Sequence, residues 1–464
     1  MRDLKGKGQL MERLERAAGI IPSPFTLLCV LFLFTAAASC LLSYTGYSAV
    51  HPATGELVSV KNFFSRSDVV WFLKSMVTNF SGYAPLGLVL IMTAGVGMLE
   101  QTGMVYTLLK TAMSHVPSSL APFGCALIGI CGNIFSDSCT VIIPPLAALV
   151  FLGVGRNPVA GMLCAFLGCS AGFSANLFLT GTDGLLAGIT NTVLNDFFGE
   201  NVCQVHMAGN WFFMIVSTVV LSALIAWLTS HTIEPVVTMR MQEETGRDMQ
   251  SGSTGHAEAD RQATESERRA LKKAAVAAAV YIGIVAAGYC SGILSAEGGG
   301  ILGSPLLSGI IPLLFGLFFA VGLTYGRAVG KIKKEGDVSA MLASQLRTMA
   351  PFLVFVLASS QFINLFNWTD IGTVISIQGS YALEKSGFTD IPLLVLFILL
   401  ASIVNLFIGP GAAKWTIMAP VFVPILTLLG YHPALVQLAY RIGDSCTNAM
   451  SPTSAYIFMI LGIA

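Results

Sequence analysis

Few charged residues fall within or beside the apolar stretches of this chain: Glu100, Asp137, Asp183, Lys414, Arg441 and Asp444. A charge at the centre of a bilayer costs about 3 kcal/mol or more, so each needs a partner, a wet cavity or a function. Arg441 and Asp444 are three positions apart, which puts them on one face of a helix where they can pair with each other. Two readings are open. The two form a structural ion pair, or Asp444 takes Na⁺ or H⁺ while Arg441 holds a substrate carboxylate. Asp183 stands in Gly181-Thr182-Asp183-Gly184, with Asn176, Thr180 and Thr182 close by in sequence. Hard oxygen donors of this kind suit a cation, and ion coupling is the expectation here; the alternative is a plain loop residue.

Trp415 follows Lys414. Its ring suits an aromatic substrate, although an interfacial tryptophan beside a lysine that reaches for water has the same signature. Glu100 precedes Gln101-Thr102-Gly103 at a helix end and reads as interfacial, and His432, before Pro433, reads as exposed.

These residues need elements to hold them. Asp137 lies in Asn133-Ile134-Phe135-Ser136-Asp137-Ser138, a polar island between apolar runs that suits the tip of a re-entrant hairpin. A counterpart runs from Asn405 through Gly409, Pro410 and Gly411 to Lys414 and Trp415. The tip residues are thus Asn133, Ser136 and Asp137 in one hairpin (near 133–154) and Gly409 and Gly411 in the other (near 391–429). Pro145 to Pro158 and Pro420 to Pro433 both span 13 positions, with Gly155 and Gly430 three before the second proline. A polar stretch follows each, at 168–176 and 443–448. Chance produces such matches in sequences rich in Gly and Pro; the alternative is an inverted structural repeat, whose interrupted helices present free N–H and C=O groups to an ion or a carboxylate.

The scaffold is a membrane one. Of 464 residues, 54% are hydrophobic and 11% charged, with a mean hydropathy of +0.75. Apolar runs at 24–44, 211–230, 274–290, 306–324, 351–366 and 391–407 approach the roughly 20 residues that cross a bilayer as helix; those at 85–99, 120–132, 141–154 and 159–179 are shorter or interrupted. The alternation of a membrane barrel is missing, so the fold class is an all-α polytopic membrane protein. Arg2, Lys5, Lys7, Arg13 and Arg16 make 1–23 an uncleaved cytoplasmic segment. A hydrophilic stretch at 231–273 reads as a cytoplasmic linker between membrane halves at 24–230 and 274–464, and a second basic loop at 327–334 agrees with it.

Most of the ten cysteines lie in or beside apolar runs, so no structural disulfide is expected. Cys203 and His206 have no second ligand pair, so no structural metal is expected. Zero net charge and the lack of a basic stripe argue against nucleic acid. A channel needs repeated rings of carbonyls or like charges, which one mixed-sign cluster does not supply. Arg441-Ile-Gly-Asp444 lacks the first glycine and the companion Tyr-Asp of an intramembrane aspartyl protease, and no Gly-x-Ser-x-Gly offers a serine route, so no enzyme is expected.

VHPATGE at 50–56, APLGLVL at 84–90, GFSAN at 172–176, Lys414-Trp415 with APVFVP at 419–424, and AYRIGDS at 439–445 with Thr447-Asn448 resemble the AbgT family of p-aminobenzoyl-glutamate transporters over nearly the whole chain. The resemblance implies an inner-membrane homodimer whose protomers have nine transmembrane helices and two helical hairpins. It implies no cofactor beyond a coupling Na⁺ or H⁺, and a small aromatic anion as substrate: import of the folate breakdown product or export of sulfonamide antimetabolites. The functional positions it implies are Asp183, Asn405, Trp415, Pro433, Arg441, Asp444 and Pro452. Pro410 and Ala412 stand where the family's second tip usually carries serines, and the chain ends 12 residues past Pro452, where the family continues into a further apolar helix.

Overall fold

The computed structural model describes residues 23–50, 55–114, 116–135, 138–199, 204–245, 264–296, 304–387, 389–408 and 411–450. Its principal helices, in chain order, are α1 (Pro24–Tyr44), α2 (Arg66–Ser81), α3 (Ala84–Gln101), α4 (Met104–Ser114), α5 (Ala121–Gly132), α6 (Ser138–Gly153), α7 (Pro158–Ala171), α8 (Gly181–Phe198) and α9 (Trp211–Leu228). They continue as α10 (Glu234–Thr245), α11 (Glu265–Cys290), α12 (Ile310–Ala328), α13 (Glu335–Thr348), α14 (Ala350–Trp368), α15 (Ile371–Ser386), α16 (Asp390–Phe407), α17 (Gly411–Leu428) and α18 (Pro433–Cys446). Between α1 and α2 lies a short antiparallel ribbon, β1 (Ser48–Val50) and β2 (Leu57–Ser59), with Ala49 opposite Val58. Strands of three residues carry too little alternation to be read from sequence.

Among the described residues, eight helical stretches are long and apolar enough to cross a membrane. Cys139–Gly153, Pro158–Ala171 and Asp390–Leu406 are apolar but shorter. Cys139–Gly153 and Asp390–Leu406 fall in the segments the sequence marks as hairpins, whereas Pro158–Ala171 follows the first of them and α17, the later arm of the second, is among the eight long stretches. Pro144 and Pro145 sit inside α6, Pro420 and Pro424 inside α17, and each removes a backbone donor from its helix. Gly155 and Gly430 take φ of 72° and 91°, a region that side chains other than glycine's disfavour, and so turn the chain after α6 and α17.

Packing divides the chain into two compact units. One takes Met1–Gly87, Thr182–Phe213 and Ala350–Ile457; the other takes Leu88–Gly181, Met214–Met349 and Phe458–Ala464. Each unit therefore draws on both sides of the polar linker. In the first unit, α14 packs against α1, α2, α15 and α17, α15 against α17, and α16 against α18. Trp71 and Trp368 stack at 4.2 Å there, and Trp368 Nε1 donates to Asp68 Oδ1 at 3.0 Å. In the second unit, α7 packs on α5 and α6, and α11 packs on α12.

The linker is helical at both described ends. The helix that begins as α9 passes through one π turn at Thr229–Ile233 into α10. At its other end Thr264 and Glu267 cap each other reciprocally and start α11, satisfying two otherwise orphaned N–H groups.

Candidate functional site

The site grows from the start of α18. His432 Nδ1 accepts from the Ala434 N–H at 3.2 Å, and buried Pro433 fills the first helical position, where its missing N–H costs nothing. That fixes the phase of α18, and Arg441 and Asp444, both buried, follow on one face.

Each takes its ionic partner from another helix, which replaces the pairing within α18 that their spacing suggested. Arg441 Nη1 meets Asp183 Oδ1, in the first turn of α8, at 2.6 Å. Asp444 Oδ1 pairs with Lys414 Nζ of α17. All four side chains are 0–3% exposed. The reason is burial: α8 and α17 each bring a charge of the opposite sign into a place shielded from solvent, and the arrangement with every charge partnered wins. Asp183 is thus a buried helix residue rather than a loop residue.

Asn405 closes the cluster. Its amide Nδ2 lies 2.5 Å from the Asp444 carbonyl oxygen, 2.8 Å from Thr447 Oγ1 and 3.0 Å from Asn448 Oδ1, while its own Oδ1 accepts from Lys414 Nζ. Gly411 opens α17 so near Asp444 that a Cβ there would stand 3.0 Å from Oδ2. The carboxylate therefore rests on the first turn of a helix, where free N–H groups favour an anion.

Trp415 is fully buried, which removes the reading of an interfacial ring. It stacks on Tyr440 with centroids 4.4 Å apart, and its Nε1 donates to Thr190 Oγ1 at 3.0 Å. The Tyr440 hydroxyl donates to the Gly411 carbonyl. Gln437 Nε2 reaches Thr190 Oγ1 at 3.4 Å, and Asn210 Nδ2 donates to Gln437 Oε1 at 3.1 Å. Tyr440, Thr190, Gln437 and Asn210 were not legible as site residues, because the first three are ordinary polar residues of helices, and Asn210 of the turn before α9, until their neighbours are known. Ser136, Asp137, Gly409 and Pro452 lie outside the described residues.

Asn133 and Asn176 belong to the other unit. Asn176 Nδ2 lies 3.4 and 3.3 Å from the Ile130 and Cys131 carbonyl oxygens, and its Oδ1 accepts from the Phe178 N–H at 2.9 Å. Its amide ties the chain after α7 to the end of α5. Asn133 Nδ2 donates to the Cys169 carbonyl at 3.1 Å, and Asn133 Oδ1 accepts from Cys139 Sγ at 3.4 Å.

Counted from Pro158 and Pro433, these contacts repeat those of the first unit. Cys139 and Lys414 each stand 19 residues before the proline, Gly168 and Gly443 ten after it, and Cys169 and Asp444 eleven after it. In both units an asparagine amide therefore bonds the carbonyl at the eleventh position, and its oxygen accepts from the residue 19 before. The glycine at the tenth position lets the helices touch: an added Cβ would meet Ala126 O at 2.7 Å from Gly168, and Ile398 O at 2.5 Å from Gly443. Cys139 and Cys169 stand at the positions where the other unit has Lys414 and Asp444.

The comparisons with known proteins agree with this architecture. The profile described as "AbgT putative transporter family" matches residues 9–464. The p-aminobenzoyl-glutamate transport protein of Escherichia coli (strain K12) is 36% identical over 458 residues, covering 98% of this chain and 87% of that one. The crystal structure of the Alcanivorax borkumensis YdaH transporter superposes with a TM-score of 0.85 at 30% identity, over 95% of this chain and 90% of the other. Neisseria gonorrhoeae MtrF, described with a class of antimetabolite efflux pumps, gives a TM-score of 0.89 at 33% identity, over 98% and 90%. Matched from residue 9 to its last residue, and carrying the same fold as these solved transporters, the chain belongs to the AbgT transporter family.

Proposed function

We propose that this chain is a secondary active transporter of p-aminobenzoyl-glutamate, or a related small aromatic carboxylate or sulfonamide, coupled to Na⁺ or H⁺. It works in the cell inner membrane with its N-terminus in the cytoplasm, as a homodimer. The observation that supports this most is the doubled ion pair, Arg441 with Asp183 and Lys414 with Asp444, buried beside the Trp415–Tyr440 stack. Buried ions of this kind mark substrate and ion paths in membrane proteins.

The chemistry follows from charge. A cation or proton that neutralises Asp183 frees the Arg441 guanidinium, whose planar fork suits a carboxylate or a sulfonamide anion. Asp444 is the second ion-coupling position, and the Trp415 and Tyr440 rings offer an aromatic face. With the four charges 0–3% exposed, substrate reaches them only after movement, for which the Gly430 turn and the prolines of α17 are the natural hinges.

Uptake of radiolabelled p-aminobenzoyl-glutamate into proteoliposomes, under imposed Na⁺ or H⁺ gradients, tests the reading. Gradient-driven accumulation that disappears in Asp444→Asn supports it; no flux of this compound or of a sulfonamide under any gradient sinks it. Export of sulfonamide-type antimetabolites is the second reading, favoured by the likeness to MtrF. Reversing the gradient across the same vesicles separates the two directions.

A further inference from the structure

We infer that the basic turn after α12 is a seat for an anionic phospholipid of the surrounding bilayer, whose phosphate rests on Arg327, Lys333 and Lys334 while an acyl chain runs down α12 past Leu323 and Phe319. This goes beyond the transport reading above and does not depend on it.

The seat is a fixed piece of the second unit. A cavity of about 370 Å³ is lined by the end of α12, the turn after it and the start of α13. The Lys331 and Ile332 N–H groups both donate to the Gly326 carbonyl, at 2.9 and 3.1 Å, and Gly330 takes φ of 76°, which closes the turn back on its own helix. Ile332 is buried against Gly326, where an added Cβ would meet its Cδ1 at 2.6 Å. Lys331 lies over Gly103 instead of the cavity, with Nζ 2.9 Å from the place a Cβ would occupy there. The other wall, α13, is tied to α3 by Gln345, whose Nε2 donates to Glu100 Oε2 at 3.1 Å.

The chemistry of the lining changes along α12. Phe319, Leu323 and Arg327 follow one another at four-residue spacing and so share a face of the helix, over a rise of about 12 Å. Because α12 is long and apolar enough to cross a membrane, the first two belong to hydrocarbon depth and Arg327 to the level of the headgroups. Val338 adds an apolar wall from α13. At the rim, Arg327, Lys333 and Lys334 are all exposed, and among the described residues none of them forms a salt bridge. Glu335 is the one acidic residue of the lining, so positive charge is in excess. Asp337 lies close by, but its Oδ2 accepts the Lys333 and Lys334 backbone N–H groups and serves the start of α13.

A basic rim that continues into an apolar floor selects the ligand. A free phosphate would use the rim and leave the floor empty. A zwitterionic lipid would bring a cation of its own against three others. An anionic phospholipid matches both halves, and basic pockets at the ends of membrane helices take such headgroups, each Lys or Arg being worth about fivefold in binding.

Native mass spectrometry of the full purified chain, titrated with dioleoylphosphatidylglycerol or dioleoylphosphatidylcholine, tests this. Wild type should retain phosphatidylglycerol over phosphatidylcholine by about tenfold or more. The ratio should fall to within about twofold in R327Q/K333Q/K334Q and persist in R268Q/K272Q/K273Q, which removes the same charge from the start of α11. V338F narrows the apolar part without touching a charge and should weaken retention as well. Inorganic phosphate in large excess should displace none of the lipid. As a readout that needs no variant, phosphatidylglycerol added to wild type in detergent should slow amide exchange at 329–338 and leave 265–273 unchanged. Equal retention of the two lipids, a preference that survives in R327Q/K333Q/K334Q or falls equally in both triple variants, or slowed exchange at 265–273 alone overturns the seat. Displacement by inorganic phosphate overturns the lipid and leaves a site for free anions.

Discussion

Asp183 and Arg441 are brought together from segments separated by more than half the chain, and they meet at 2.6 Å with almost no exposure. Breaking a buried pair from one side strands the other charge, at about 3–5 kcal/mol. Asp183→Asn and Arg441→Gln should each lower the unfolding temperature in detergent markedly, while the double variant recovers most of the loss. Flux should be absent in all three. A double variant no more stable than the singles would show that the pairing is not what makes these residues structural.

Gly168→Ala and Gly443→Ala should both destabilise the protein, because each methyl group meets the backbone of a packed neighbouring helix at 2.7 or 2.5 Å. Overpacking of this kind costs about 1–3 kcal/mol. Gly283→Ala in α11, with nothing within 4 Å of the new carbon, should instead be neutral or slightly stabilising. Thermal unfolding of the three variants side by side checks the contrast.

Trp415 separates stacking from hydrogen bonding. Trp415→Phe keeps a ring over Tyr440 and loses only the 3.0 Å bond to Thr190, for about 0.5–1.5 kcal/mol. Trp415→Ala empties a fully buried position and should cost about 3–5 kcal/mol. Equal losses of stability in the two variants would mean that the indole N–H, rather than the ring, is what matters.

Asp337 sets a pH dependence away from the site. The Lys333 and Lys334 N–H groups donate to its Oδ2 at 2.8 and 2.9 Å at the start of α13, and they hold its carboxyl below the usual carboxylate range. A lowered pKa in the folded state gives stability that is present above the ordinary aspartate value and lost as pH falls through the folded one. Protection of the first-turn amides of α13, measured against their intrinsic exchange rates at each pH, should therefore fall under acid conditions, and Asp337→Asn should flatten that pH dependence.

Much of the scaffold was legible. Long apolar runs can only be helices in lipid, and the matched prolines with Gly155 and Gly430 marked the repeat before any contact was known. Asn133 was read as a tip residue and Asn405 as the start of its counterpart segment, but not their shared role of tying that segment to the helix that follows, since that depends on which carbonyl comes within reach. The partners of Arg441 and Asp444 were hidden for a similar reason: spacing along one helix says what can meet locally, whereas α8 and α17 supply stronger partners from elsewhere. Lys414 next to Trp415 left a ring for an aromatic substrate and a pair at the water's edge both open, because adjacency in sequence cannot distinguish an interface from a core. The interleaving of the two compact units was equally out of reach, since a polar linker marks a break in composition and not a boundary of packing.

In the turn between α6 and α7, Arg156 Nε lies 3.2 and 3.0 Å from the two carboxylate oxygens of Glu234, and Nη2 lies 3.0 Å from Ser230 Oγ. The start of the polar segment that follows α9 is therefore fastened to the turn after α6, the helix carrying Pro144 and Pro145. The contact works as a leash at that root: a pull on the start of α10 is a pull on the turn between α6 and α7 as well.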